Sequence, residues 1–329
     1  MSAKSARYTL PPYTEGWFQV GWSDDVKRGS VHEVRCFGRN LCLFRGEDGA
    51  LGLLDDICPH LGARFSVGGC VRGNAMRCPY HGWEFDRSGA CTKIEYAKKI
   101  PKKAVVDSFS VVERYGMIFM YRNEAGDKAP YDLPTIADFD PSDYLPMRGY
   151  TFRARIHAQD LLENSVDRAH FYEVHGHSLP QTEWSMDGNT MRISHASSVR
   201  RLGLHMPARQ EFHLIEPGFQ YNRFPVLPFG AQGMVISSIV PEDEEFTVNH
   251  LAVFVRPGRV PGVAQIIQRF ITWQMIETYK EDTPIWEAKA YRDKPVLCDG
   301  DGPIMRFRQW YGTFYPKQKR SLEIIRADA

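Results

Sequence analysis

Cys58 and His60 stand two apart in the string CPHLG, and Cys78 and His81 stand three apart in CPYHGW. Each string offers one thiolate and one imidazole on a tight loop, with Pro directly after the Cys and Gly near the His. Two thiolates and two imidazoles can hold a tetrahedral zinc. They can also hold a two-iron, two-sulfur cluster in which one iron takes both thiolates and the other both imidazoles, and that arrangement needs one of each from each loop. The sequence supplies that division. The other cysteines, Cys36, Cys42, Cys70, Cys91 and Cys298, have no partner at metal spacing and read as buried small apolar residues.

A second constellation lies in LLENSVDRAHFYEVHGH, Leu161 to His177. Asn164, Asp167 and His170 follow in steps of three and share one face of a helix expected over Gln159–Tyr172. Five residues at about 100° each turn His175 about 140° away from His170, so the helix must unwind between them. Gly176 is a natural left-handed stop that lets His175 swing back. Two imidazoles and one carboxylate on one face of a ferrous ion leave positions open for oxygen and substrate chemistry. Candidate carboxylates further on are Glu277, Glu281, Asp282, Glu287 and Asp293.

CPHLG followed by CPYHGW resembles the Rieske motif, and the segment Glu163, Asn164, Asp167, His170, His175 is similar to the iron-binding pattern of the Rieske non-haem iron oxygenases. The places of the extra disulfide cysteines of respiratory Rieske proteins are filled by Ala63 and Tyr80. Trp83 stands where those proteins have a sulfur-bonding Ser, which points to a low-potential cluster. The resemblance implies a [2Fe-2S] cluster on Cys58, His60, Cys78 and His81, and a mononuclear Fe(II) on His170, His175 and Asp282. Asp282 is chosen because it lies four residues before Trp286; Glu281 and Asp293 remain alternatives. It further implies a homotrimer in which Asp167 links His170 to the cluster histidine of a neighbouring chain, with Asn164 beside it in the catalytic pattern. Electrons would come from NAD(P)H through a ferredoxin and/or flavin reductase. KIPKKA at Lys99–Ala104 and DGPIMRFRQWYGTFY at Asp301–Tyr315 look most like the steroid-hydroxylating and sterol-desaturating group. The implied activity is monooxygenation of an apolar, steroid-like molecule. Demethylation or arene dioxygenation is an alternative on the same scaffold, and an electron-transfer protein with a ligand-binding domain is an alternative of another class.

Elements that would position these residues can be read from periodicity. Short apolar runs broken by Gly, Asp or Asn (Trp17–Trp22, Val31–Phe37, Leu41–Phe44, Leu51–Leu54, Val111–Val112, Met117–Tyr121) predict small antiparallel β structure over residues 1–125, with an N-terminal extension. A Pro- and Asp-rich stretch predicts a linker over 126–149. Residues 150–329 alternate as strands at Thr151–Ile156, Thr190–Val199, Arg209–Ile215, Met234–Val240 and Phe246–Val255. A helix from Val263 to about Tyr279 is expected to bury Val263, Ile266, Ile267, Phe270 and Ile276. Pro284 is expected to begin a new helical turn. The fold class is α+β: an all-β cluster domain, then an antiparallel sheet wrapped on helices in a helix-grip manner. Phe212, Phe219, Phe224, Val226, Leu227 and Phe229 are candidates for lining an apolar pocket.

The 329 residues carry a net charge of +1 with acids and bases interspersed, which leaves no basic stripe for nucleic acid or membrane. No P-loop or dinucleotide fingerprint is present, so electrons must arrive from elsewhere. No apolar run is long enough to span a membrane, and a cytoplasmic location is expected.

Overall fold

The computed structural model describes residues 7–126, 128–201, 204–224 and 227–316. It divides into two compact units, Trp17–Leu133, and Pro134–Ala329 together with Met1–Gly16. The N-terminal extension thus groups with the second unit instead of the first. Arg7 Nε donates to Lys289 O at 2.8 Å and Glu15 N–H to Phe314 O at 2.9 Å.

The first unit is built from three small antiparallel sheets. Gly16–Trp22, Met117–Arg122 and Val111–Arg114 form one, and Val31–Cys36, Arg39–Arg45 and Leu51–Asp55 another. The third joins Cys70–Arg72, Ala75–Arg77, Glu84–Phe85 and Cys91–Lys93. Its strands of two or three residues are too short and too polar for alternation to reveal. Phe44, Leu54, Phe65, Met76 and Phe85 are fully enclosed and form the floor beneath the two cysteine loops. Cys36 and Cys42 are buried as expected, but Cys70 and Cys298 are exposed, and Cys91 is half-buried at the margin of the first unit's core.

The second unit is a seven-stranded antiparallel sheet in the order Arg148–Ala154, Thr247–Arg256, Gln232–Pro241, Phe219–Phe224, Leu204–Glu216, Thr190–Arg201, Gln181–Asp187. Every neighbour but one follows in chain order. The exception is the first strand, which pairs with the last, so the chain must cross the sheet before Gln181. That crossing carries α1 (Ala158–Glu163) and α2 (Arg168–Glu173). A single helix does not span Gln159–Tyr172: it breaks at Asn164, which ends α1, and restarts at Asp167, which caps α2. The cap wins because an Asp side chain satisfies an orphan N–H of the new first turn.

α3 (Val263–Ala288) runs through Pro284 without ending. Its buried face is Ala264, Ile267 and Ile271, packed on Val235, Leu251, Val253 and Val255, whereas Ile266 and Phe270 are exposed. Apolar residues on both sides of this helix made its periodicity ambiguous; small and β-branched groups fit the pleated sheet. α4 (Ile304–Gly312) gives no sequence signal before its aromatic residues, and buries Phe307, Trp310 and Tyr311 against α1. Glu163 and Arg308 form a two-bond pair at 2.6 and 2.8 Å that ties α1 to α4.

Candidate metal centres

The two cysteine loops of the first unit have the same backbone plan. Cys58 N–H donates to Ala63 O (2.8 Å) and Gly62 N–H to Cys58 O (3.0 Å); Cys78 N–H donates to Trp83 O (2.8 Å) and Gly82 N–H to Cys78 O (3.1 Å). Gly62 and Gly82 take left-handed φ of 79° and 70°, which close each turn. Cys58 and Cys78 are buried, and burial pushes the Cys58 thiol up, against the His60 N–H that donates to its sulfur and with the neighbouring Cys78. His60 and His81 stand edge to face with ring centroids 4.6 Å apart. His60 also stacks on Trp83 at 4.5 Å, while the Trp83 N–H is used by Tyr96 Oη at 2.7 Å. Trp83 therefore gives no bond to sulfur. The buried His60 Nδ1 has no hydrogen-bond partner among the described residues. An enclosed thiol pair beside an unpartnered imidazole nitrogen is a costly arrangement for a chain alone and fits a cluster that takes both kinds of donor.

In the second unit the α1–α2 crossing delivers both histidines to α3. Asp167 Oδ1 accepts from His170 N–H at 3.2 Å, and the Asp167 carbonyl lies 3.1 Å from His170 Nδ1, which turns Nε2 of that ring away from α2. Gly176, at φ 66°, stops the chain after α2 and turns His175 back. His170 Nε2 and His175 Nε2 then face each other at 2.9 Å, and Asp282 Oδ1 is 3.5 Å from the first and 3.3 Å from the second. Donor atoms about 2.1 Å from one metal at angles near 90–110° stand about 3.0–3.4 Å apart, so the spacing suits a shared ion. Burial opposes charge on Asp282, yet the hydrogen bonds and charge of His170 and His175 hold it below the usual carboxylate range. Burial likewise opposes charge on His175, and Asp282 and Glu281 together raise it. One proton cannot serve three atoms that converge in this way; a cation can.

Of the alternative carboxylates, Glu281 lies behind His175, with Oε2 2.8 Å from Nδ1, and orients the ring instead of facing its partners. Asp293 bonds Thr9. Asn164 is brought no nearer than the end of α1, where its carbonyl accepts from Asp167 N–H at 3.3 Å. Phe171 packs on His170 (4.7 Å) and His195 (5.1 Å), and Phe212 packs on both Phe171 and His195. His195 is held by Thr182 Oγ1 and Ser165 O, a role that its isolated place in a strand did not signal. Among the pocket candidates, Phe219 is core, Phe229 is 61% exposed, Phe224 and Leu227 pack against α3, and Val226 lies outside the described residues.

Residues 16–110 match the Rieske [2Fe-2S] domain family, and residues 120–315 match the family described as the 3-ketosteroid 9alpha-hydroxylase C-terminal domain. A 3-ketosteroid-9-alpha-monooxygenase oxygenase component from Rhodococcus rhodochrous is 28% identical, covering 92% of this chain and 81% of its own. A cholesterol 7-desaturase from Bombyx mori is 27% identical over 94% of this chain and 71% of its own. Among solved structures, dicamba monooxygenase bound to dicamba shares the fold with a TM-score of 0.74 at 21% identity, covering 95% and 98% of the two chains. With its cluster loops in the first unit and its convergent histidines and carboxylate in the second, the chain belongs to the Rieske non-haem iron oxygenases, with a C-terminal domain of the 3-ketosteroid 9α-hydroxylase family.

Proposed function

We propose that this chain is an oxygenase component that monooxygenates a largely apolar, polycyclic, steroid-like molecule, drawing electrons from NAD(P)H through a separate ferredoxin and/or flavin reductase. The convergence of His170 Nε2, His175 Nε2 and Asp282 Oδ1 carries this reading. When bound, the cluster supplies electrons and the ferrous ion activates oxygen. The chain's own residues do the rest. Cys58, Cys78, His60 and His81 hold the cluster, Asp167 and Glu281 fix the rotation of the two iron-binding imidazoles, and Phe171 and Phe212 keep water from the side facing the sheet. The similarity to a ketosteroid monooxygenase component and to a cholesterol desaturase supports the substrate class.

In this reading the chain works as a homotrimer, and Asp167 joins His170 to His81 of the partner subunit. Cysteines that are all unpaired among the described residues suit the reducing cytoplasm, and among those residues no helix is long and apolar enough to cross a membrane. Iron content tests the reading against an electron carrier with a ligand-binding domain. An oxygenase carries on the order of three irons per chain, and a carrier about two. His170→Ala should lower the count by about one and abolish turnover of a polycyclic substrate with a surrogate reductase. A wild-type chain holding only cluster iron would refute the function.

A further inference from the structure

Acids and bases are interspersed over most of the chain, but one surface loop of the first unit is different. Lys98, Lys99, Lys102 and Lys103 fall within six residues, and no acid stands between Tyr96 and Val106. The carboxylates nearest in sequence are already used: Glu95 by Lys93 (3.1 Å) and Arg77 (3.4 Å), and Asp107 by Arg39 (2.8 Å). Among the described residues the four ammonium groups have no ion-pair partner, in a chain whose 41 basic and 40 acidic residues otherwise nearly balance. Four unpaired like charges repel one another and add nothing to the core, so folding alone does not favour them.

The loop is nonetheless held in place. Ile94 and Ala104, at its two ends, are buried in the core beneath the cysteine loops. Cys91 N–H donates to Ala104 O (3.0 Å) and Ala104 N–H to Pro101 O (2.9 Å). Every residue from Glu95 to Lys103 is exposed, and the lysines are interleaved or flanked by three exposed apolar side chains, Tyr96, Ile100 and Val105.

Aromatic side chains connect this loop to the cluster site. The Tyr96 hydroxyl accepts from Trp83 Nε1 (2.7 Å), and Trp83 lies 10° from parallel on His60 at 4.5 Å. His81 is packed instead by Tyr80 at 3.8 Å. The loop thus belongs to the His60 side, whereas the trimer reading gives His81 to the neighbouring chain.

We propose that the loop Tyr96–Val105 is the docking surface for a small one-electron carrier of ferredoxin type with a carboxylate-rich face. Such a carrier gives up one electron and is itself oxidised by one, and no bond or proton need move, so the surface has only to attract, orient and release. Lysines suit the first task, because their charges raise the encounter rate, and the apolar side chains supply contact once the partner has arrived. A surface made for phosphate would favour the two-pronged guanidinium, and the loop holds no arginine.

This inference rests on the oxygenase reading and gives its electron donor a place. It is tested on the holoenzyme by surface plasmon resonance with an acidic plant-type [2Fe-2S] ferredoxin, at about 10 mM and about 500 mM salt. Replacing Lys98, Lys99, Lys102 and Lys103 together by Gln should slow association roughly 10-fold or more at low salt, and the difference should vanish at high salt. A control that removes the same charge from the exposed Lys27, Lys128, Lys280 and Lys294 should associate nearly as fast as the wild type. Ile100→Ser should leave association unchanged and speed release. If the fourfold variant loses its cluster absorbance, the pairs Lys98→Gln with Lys99→Gln and Lys102→Gln with Lys103→Gln carry the test. Equal losses in loop and control variants would mean that only net charge acts and would overturn the docking site. So would a wild type that binds no ferredoxin, or a loop variant that loses anionic vesicles or duplex DNA while keeping ferredoxin. A chain that lacks the third iron yet binds ferredoxin through the loop sinks the oxygenase reading and leaves the surface standing; full iron content without loop dependence sinks the surface alone.

Discussion

Glu281 separates holding a ring from holding a metal. Its carboxylate stands behind His175 and keeps Nε2 aimed at His170 and Asp282, and such supporting carboxylates are typically worth 10- to 100-fold in metal affinity. Glu281→Gln should therefore weaken Fe(II) binding in the second unit by about that factor while the visible spectrum of the cluster stays unchanged. A loss as complete as that of Asp282→Ala would instead make Glu281 a ligand. Asp167 gives a complementary case: Asp167→Ala should keep both iron centres yet lose turnover, and rapid oxidation of the reduced cluster on adding substrate and oxygen would show that Asp167 carries no bridge. The motif residues were legible because a metal fixes the spacing of its ligands and spacing survives in sequence. Glu281 was visible only as one acid among several, since a supporting and a ligating carboxylate look alike until the ring between them is placed.

At the scale of elements, the break between α1 and α2 sets where His170 points, and Gly302, in the chain after α3, packs closely against it. A Cβ on Gly302, which has φ 88°, would meet the Val166 carbonyl at 2.4 Å, and Val166 is the residue before the Asp167 cap. Gly302→Ala should displace the Val166 carbonyl and lower the thermal midpoint of the second unit by several degrees. Gly176→Ala meets nothing, so only its left-handed backbone is strained, at about 1–2 kcal/mol. A larger loss of stability in Gly176→Ala than in Gly302→Ala would contradict this order. Most of the sheet was readable from alternation. Gln181–Asp187 and Phe219–Phe224 were not, because one is a largely exposed edge and the other carries polar Gln220 and Asn222 between aromatic residues, which breaks the apolar/polar alternation. The length of α3 was hidden by Pro284, whose missing donor in a helix interior normally ends the run.

For the whole molecule, acid should act first on the second unit. Burial lowers His157, and His250 is pushed down to about 4 by burial; His213 is pushed down to about 4 by burial and by the charges of Arg223 and Arg192. These folded-state values lie below the unfolded value near 6.5, so the unfolded chain binds protons first. Stability is full above about pH 6.5 and is lost as pH falls toward 4. Melting curves should be flat from pH 8 to about 6.5 and then decline, and His250→Gln should flatten the decline; a curve without such a slope would place these rings in water. The two-part organisation was legible because the metal motifs fall in separate halves, whereas the return of Arg7–Gly16 to the second unit depends on backbone bonds that no pattern announces. One turn of α3 holds Tyr279, Glu281 and Asp282, which in turn meet Asn249, the back of His175 and the front of both imidazoles. A substitution that shifts this one turn therefore disturbs a buried sheet amide and both convergent histidines at once, so the sheet and the candidate iron centre share a single mechanical support.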